Sequence, residues 1–232
     1  MLKIDNMTVA YADGKTALED VTCILDEGKS YALLGANGAG KSTFMKALLG
    51  LVPIKSGAAQ IDEINVEPKN LSNIRKVAGL VFQNSDDQLF SASVEDDIAF
   101  GPANIGIAGD ELKNLTELYL KKFDIAHLRK RSPQRLSEGE KKRVSLCAVL
   151  AMNPKVLMLD EPTAQLDARG KREITDILAA LPQTLIMAAH DLDAVRKVCT
   201  HALILNAGRL AFCGHLCEAL DNRELLQNCG LI

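Results

Sequence analysis

The chain has 232 residues, 47% of them hydrophobic and 25% charged, with a formal net charge of -3 at pH 7. That balance predicts an ordinary globular fold with enough chain for one substantial core; it argues against wholesale disorder and gives no overall electrostatic footprint for nucleic acid, leaving only room for a local basic patch. No run approaches the roughly 18 apolar residues that span a bilayer, and the opening "MLKIDNMTVAYADG" lacks a secretory core, so the expectation is a cytoplasmic protein. Cysteines 23, 147, 199, 213, 217 and 229 are scattered as free thiols are in a reducing compartment, not as a disulfide framework.

Taken in chain order, short apolar runs recur: "SYALLG" (30–35), "VAGLVF" (77–82), "KVLMLD" (155–160), "TLIMAA" (184–189) and "HALILN" (201–206). Runs of this length bounded by turn or helix signals predict strands buried on both faces of a parallel sheet, and hence an α/β core. The first run leads into "GANGAGKST", Gly35 to Thr43, which fits G-x-x-x-x-G-K-[ST] without a mismatch. Glycines let the backbone turn its N–H groups toward phosphates, Lys41 brings charge to the outer phosphates, Ser42 offers a hydroxyl to Mg²⁺, and the following helix adds its positive end. This loop alone does not separate a kinase from a switch or a motor.

From about 86 to 154 the texture changes to helix formers, with leucines at helical spacing in "GDELKNLTELYLKKFDIAHLRKR". The predicted organisation is a single nucleotide-binding domain, its core about 1–85 and 155–232, interrupted by a helical subdomain about 86–154. Within the segment 84–106 lie Asp86, Asp87, Glu95, Asp96 and Asp97, carboxylates suited to guanidinium groups. Next comes "VLMLDEP", Val156 to Pro162, an apolar strand ending in two acids. Alone it reads as a solvated turn. Paired with the phosphate loop it reads as a hydrolysis site, with Asp160 for Mg²⁺ and Glu161 polarising water. In the tail, Cys199, His201, Cys213, His215 and Cys217 are residue types that suit zinc, nickel or cobalt, but their spacing matches no familiar site.

Further residues in this order resemble the ATP-binding cassette family of transport ATPases. "QRLSEGEKKRVSLCAVLAMNP" (134–154) is similar to the family's L-S-G-G-Q signature segment, "TAQLD" (163–167) to the loop after the acidic pair, and "AAHDLDAV" (188–195) carries the family's histidine. Gln83 in "LVFQN" stands in the place of the glutamine loop, and Tyr11 in "VAYADG" in that of the aromatic residue stacking on adenine. The resemblance implies a P-loop NTPase (RecA-like) parallel-sheet core, an inserted α-helical subdomain and an N-terminal antiparallel β region. It implies Glu161, His190, Lys41 and Gln83 as the catalytic set, with Ser42, Gln83 and Asp160 holding Mg²⁺. ATP would be held by Tyr11, Gly35, Asn37, Gly38, Gly40, Lys41, Ser42 and Thr43, and by Ser137, Gly139 and Asp167 across a head-to-tail pair of chains. The signature here reads "LSEGE", with Glu138 and Glu140 as departures. Either the carboxylates repel nucleotide or they point away, and the free backbone donors of Gly139 favour the second.

Residues 84–106, "NSDDQLFSASVEDDIAFGPANIG", resemble the ATPases of energy-coupling factor importers, which serve vitamins and cobalt or nickel ions, and "DDQLF" and "FGPANIG" look closest to the metal-ion branch. In that family the stretch grips arginine-bearing helices of a membrane-embedded coupling protein. The implied partners are a second cassette chain, alike or related, a transmembrane coupling protein and a substrate-binding membrane protein, with no nucleic acid, at the cytoplasmic face of the membrane. The alternative is a soluble cassette ATPase uncoupled from transport. A small-molecule kinase would share Lys41 but would need neither the signature segment nor His190.

Overall fold

The computed structural model describes residues 1–232. Its elements run β1 (Leu2–Ala10), β2 (Thr16–Leu25), β3 (Ser30–Leu34), α1 (Lys41–Leu48), β4 (Ile54–Ile61), β5 (Ile64–Asn65), α2 (Leu71–Val77), β6 (Ala78–Val81), α3 (Val94–Asn104) and α4 (Gly109–Lys122). They continue with α5 (Glu138–Leu150), β7 (Val156–Asp160), α6 (Ala168–Ala179), β8 (Thr184–Ala188), α7 (Leu192–Val198), β9 (His201–Asn206), β10 (Arg209–His215), α8 (Leu216–Asp221) and α9 (Arg223–Asn228). Each predicted apolar run becomes a strand of one sheet, ordered β10-β9-β3-β8-β7-β6 and parallel except for β10. A second, antiparallel sheet is ordered β2-β1-β4-β5. The fold is thus the α/β P-loop architecture with an antiparallel N-terminal sheet.

Side chains alternate across the parallel sheet with the strand period of two. Leu33, Met158, Ile186, Leu203 and Leu205 turn to one face, where they share a core with Leu2, Met7 and Phe44. Their neighbours Leu34, Leu157, Leu159, Leu185, Met187 and Ile204 turn to the other, toward Leu146, Leu150, Ile174, Leu178 and Val195 of the helices. Both faces are therefore dry, which is why these strands read as unbroken apolar runs. Helix α1 has no side-chain cap at its start; it is held by the complete burial of Met45 and Leu48 and near-complete burial of Phe44, each contributing about 1.5–3 kcal/mol.

Between β6 and β7 the chain forms helices and turns but no strand. Helix α5 is the element of this stretch that returns to the sheet, and its residues Val144, Leu146, Cys147, Val149 and Leu150 are all buried. No helix is long and apolar enough to cross a membrane. In the tail, β10 pairs antiparallel with β9, stacking His201 against His215 with ring centroids 4.5 Å apart. No three His, Cys, Asp or Glu side chains gather there or elsewhere in a group able to hold a metal ion.

Candidate nucleotide site

Four parallel strands end on one edge, as ligand sites of open α/β sheets do. β3 delivers the loop 35–43, β6 delivers Gln83, β7 delivers Asp160 and Glu161, and β8 delivers His190. Asn37, Gly38, Gly40, Lys41, Ser42 and Thr43 of the loop, with Gln83, Asp160, Glu161, His190 and Tyr11, line a cleft of about 740 Å³. Gly35 lies beneath the loop at φ +147°, where a Cβ would come within 2.4 Å of the Leu205 carbonyl oxygen. The Tyr11 and Thr43 hydroxyls are 2.7 Å apart, and Tyr11 is otherwise exposed.

The cleft has an anion-binding character built from its backbone. Gly40 caps α1 at φ 105° without any side-chain hydrogen bond, and the first turn carries no acidic residue. The first N–H groups of the helix are therefore left for an external partner. Lys41 is buried and donates to the carbonyls of Gly35 at 2.7 Å and Ala36 at 3.2 Å. Burial lowers its pKa, opposed by the charges of Glu161 and Asp160.

Glu161 sits just past β7 in the left-handed region at φ 48°, strain that a non-glycine residue bears at functional turns. Its backbone N–H donates to the Ala188 carbonyl at 2.9 Å, tying the turn to β8. The buried Oε1 makes no hydrogen bond, although His190 Nε2 lies 3.4 Å away. Burial raises the Glu161 pKa, opposed most by His190. An unpartnered carboxylate oxygen, a lysine without a carboxylate partner and an open helix N-terminus fit a triphosphate and its attacking water. The oxygen donors of Ser42, Gln83 and Asp160 in the same cleft are of the type Mg²⁺ prefers.

Ser137, Gly139 and Asp167 lie elsewhere. They line a second cleft of about 620 Å³, between the start of α5 and the start of α6. Ser137 caps α5 in a full capping box: its backbone N–H and its hydroxyl both donate to Glu140 Oε2 at 2.8 Å, and Glu140 N–H donates back at 3.4 Å. These bonds hold the Glu140 carboxyl below the usual range. Glu138 turns to Lys141 at 3.1 Å. Both departures in the signature are thus folded onto their own helix, while a Cβ on Gly139 would meet nothing within 4 Å. Asp167 caps α6, accepting from Gly170 N–H at 2.7 Å.

A family model described as ABC transporter matches residues 18–164. The chain belongs to the ABC transporter family. Among relatives of this cassette, the energy-coupling factor transporter ATP-binding protein EcfA of Carboxydothermus hydrogenoformans is 42% identical over 233 residues, covering 99% of this chain and 86% of that protein. A putative ABC transporter ATP-binding protein of Geobacter sulfurreducens is 39% identical over 231 residues, covering 100% of this chain and 93% of that one. The solved cbiO1 of Clostridium perfringens, described as part of the ABC transporter complex cbiONQ, matches with TM-score 0.83 at 36% identity over 99% of this chain and 94% of that one. The dimeric cassette MJ0796, in a post-hydrolysis state with ADP and Pi, matches with TM-score 0.84 at 25% identity over 93% of this chain and 99% of that one. The cassette is an ATP-binding and ATP-hydrolysing subunit of a transporter.

The structure revises the expectation for the acids of segment 84–106. Asp97 is buried and accepts the backbone N–H groups of Phe90 at 3.2 Å and Ser91 at 3.0 Å. Glu95 pairs with Arg129 at 2.6 Å and with Lys130, Asp96 with the Ser93 hydroxyl at 2.5 Å, and Asp86 with Lys141 at 2.8 Å. Glu95 does meet a guanidinium, but the cassette's own. Only Asp87 makes no ion pair or hydrogen bond through its carboxylate; elsewhere in the segment Phe90 and Phe100 form an exposed edge-to-face pair with centroids 4.8 Å apart.

Sequence reasoning also missed residues of the first cleft. Lys15, Thr16 and Ala17 from the start of β2, with Ala207 and Gly208 from the β9–β10 turn, complete its wall. No motif marks them, because they reach the site only through packing: the space a Cβ on Gly40 or Gly208 would take is filled by the Ala17 carbonyl, 2.9 and 2.7 Å away. Lys142 was missed too. It is 3% exposed, and burial lowers its pKa to about 8 against the charges of Glu138, Asp160 and Glu161.

Proposed function

We propose that the cassette drives an importer of the energy-coupling factor kind, for a cobalt or nickel ion or a vitamin, as the nucleotide-driven half of a pair of cassettes. The observation that carries the catalytic part is the buried Glu161 Oε1 without a hydrogen bond, beside His190 and in one cleft with an uncapped helix N-terminus. The loop N–H groups and Lys41 bind the β- and γ-phosphates, and Tyr11 contacts adenine. Mg²⁺, held by Ser42, Gln83 and Asp160, would neutralise phosphate charge. Glu161 orients the attacking water and accepts its proton, while His190 holds that carboxylate and the γ-phosphate in register. Ser137, Gly139 and Asp167 of a second copy complete the site, which accounts for their separation from the first cleft within one chain.

The import reading is supported by the EcfA relative, by cbiO1 and by the stretch 84–106. Two experiments test the two parts. Glu161→Gln removes the base and should cut turnover roughly 10²- to 10⁴-fold while ATP binding persists and the pair stays closed; turnover at the normal rate overturns the assignment. Pull-down in mild detergent from native membranes should bring a coupling protein and a small substrate-binding membrane protein. Asp87→Lys should lose both while still binding ATP. Recovery of a conventional permease rejects the subtype, and recovery of soluble partners alone rejects transport coupling.

A further inference from the structure

Two consecutive lysines in the first turns of α5 are buried, Lys141 at 8% exposure and Lys142 at 3%. Such burial of an ammonium group is costly unless its protons are satisfied. The Lys142 Nζ has no carboxylate partner. It donates instead to two successive backbone carbonyls, Phe82 at 3.1 Å and Gln83 at 2.7 Å. Those are the residues that carry β6 into the nucleotide cleft. The same side of α5 makes two more attachments to the segment that follows. Lys141 pairs with Asp86 at 2.8 Å, and the Ser145 carbonyl accepts from Gln88 Nε2 at 2.8 Å, while Gln88 Oε1 accepts the Phe82 N–H at 3.2 Å. Gln83 is therefore bracketed on both sides by contacts to one helix, the helix that Ser137 caps.

We infer that Lys142 is a positioning residue that splints the Gln83 loop to the signature helix, so that a shift of either carries the other. A methionine of similar length would fill the same space without desolvating a charge, but it would leave the Phe82 and Gln83 carbonyls without this donor. What the lysine adds is a pair of charge-assisted hydrogen bonds at the backbone of the residue that faces the nucleotide. Lys141, bridging Asp86 and Glu138 at 2.8 and 3.1 Å, extends the connection to the signature itself. The link to turnover rests on the proposed role of Gln83; the mechanical link does not.

The test compares wild type, Lys142→Met and Lys142→Arg by hydrogen exchange of the 82–88 amides, with and without a non-hydrolysable ATP analogue, alongside melting temperature, ATP affinity and steady-state kinetics. Losing the charge-assisted pair should raise exchange across 82–88 about tenfold in Lys142→Met, and lower kcat by a similar factor with KM within about twofold. Its melting temperature should fall by no more than a few degrees, because the loss is confined to one loop. Lys142→Arg, which keeps the donors, should restore both protection and kcat. Unchanged exchange at 82–88 in Lys142→Met overturns the inference, as does a larger fall in melting temperature with exchange raised throughout the chain. Gln83→Ala separates the two readings: unaltered turnover there rejects the role of Gln83 alone, since the splint is read from exchange.

Discussion

Two helix N-termini in this cassette carry the segments expected to hold ATP, and they are built in opposite ways. Helix α1 opens at Gly40 with no side-chain cap and no acid in its first turn. Helix α5 opens at Ser137 with a closed capping box and two acids, Glu138 and Glu140, in its first turn. At α1 the unmet N–H groups and the helix dipole are available to a phosphate. At α5 the chain has already supplied its own anion, and the Ser137 hydroxyl is engaged with Glu140. A helix N-terminus thus becomes an anion site only where the sequence withholds a cap, and α5 must exchange an internal bond for any phosphate it meets through Ser137.

Breaking the open end should have the largest effect. Lys41→Ala removes the ammonium proposed to partner the phosphates and is expected to weaken ATP binding by about 10- to 100-fold, read by calorimetric titration. Breaking the closed end should act on stability before affinity. Ser137→Ala removes the cap of α5 and is expected to cost about 1 kcal/mol in denaturant unfolding. The Glu140 carboxyl is held below its ordinary pKa chiefly by the backbone and hydroxyl of Ser137. Its contribution to stability is accordingly complete above the unfolded carboxylate pKa and is lost as pH falls through the lower folded value. The stability gap between wild type and Glu140→Gln should therefore close on acidification. The smallest change is expected for Glu138→Gly: with Lys141 neutralising the carboxylate, ATP affinity of the assembled pair should rise by at most about twofold. A larger gain would show that Glu138 leaves Lys141 and faces the phosphate.

Much of the parallel sheet was legible because its strands are buried on both faces, so each announces itself as an apolar run with turn signals at its ends. The phosphate loop was legible for a related reason: its glycines and Lys41 are consecutive in the chain. The half-buried strands of the N-terminal sheet left a weaker trace, and β10, whose side chains alternate between partly buried and exposed, was not read from its own pattern. The acids of 84–106 show the limit most plainly. Residue type marked them as a cluster suited to a partner's guanidinium groups, yet Asp97 is buried against the Phe90 and Ser91 N–H groups and Glu95 is paired with Arg129, contacts to groups 34 residues away in the second case.

By itself the sequence determined the order of the five parallel strands along the chain, the glycine-rich loop 35–43 with Lys41, the acidic pair Asp160 and Glu161 at a strand end, and the presence of a signature segment with two extra acids. Those are local properties, set by residue type and spacing within one strand, turn or helix. The tertiary structure alone decided that four strand ends meet at one cleft and that Ala17 and Gly208 wall it. It also decided that Ser137, Gly139 and Asp167 stand apart from it, and that Lys142 is buried against Gln83. Each of these depends on which distant backbone groups are left without a partner and which side chain is close enough to satisfy them, a requirement that only the assembled chain imposes.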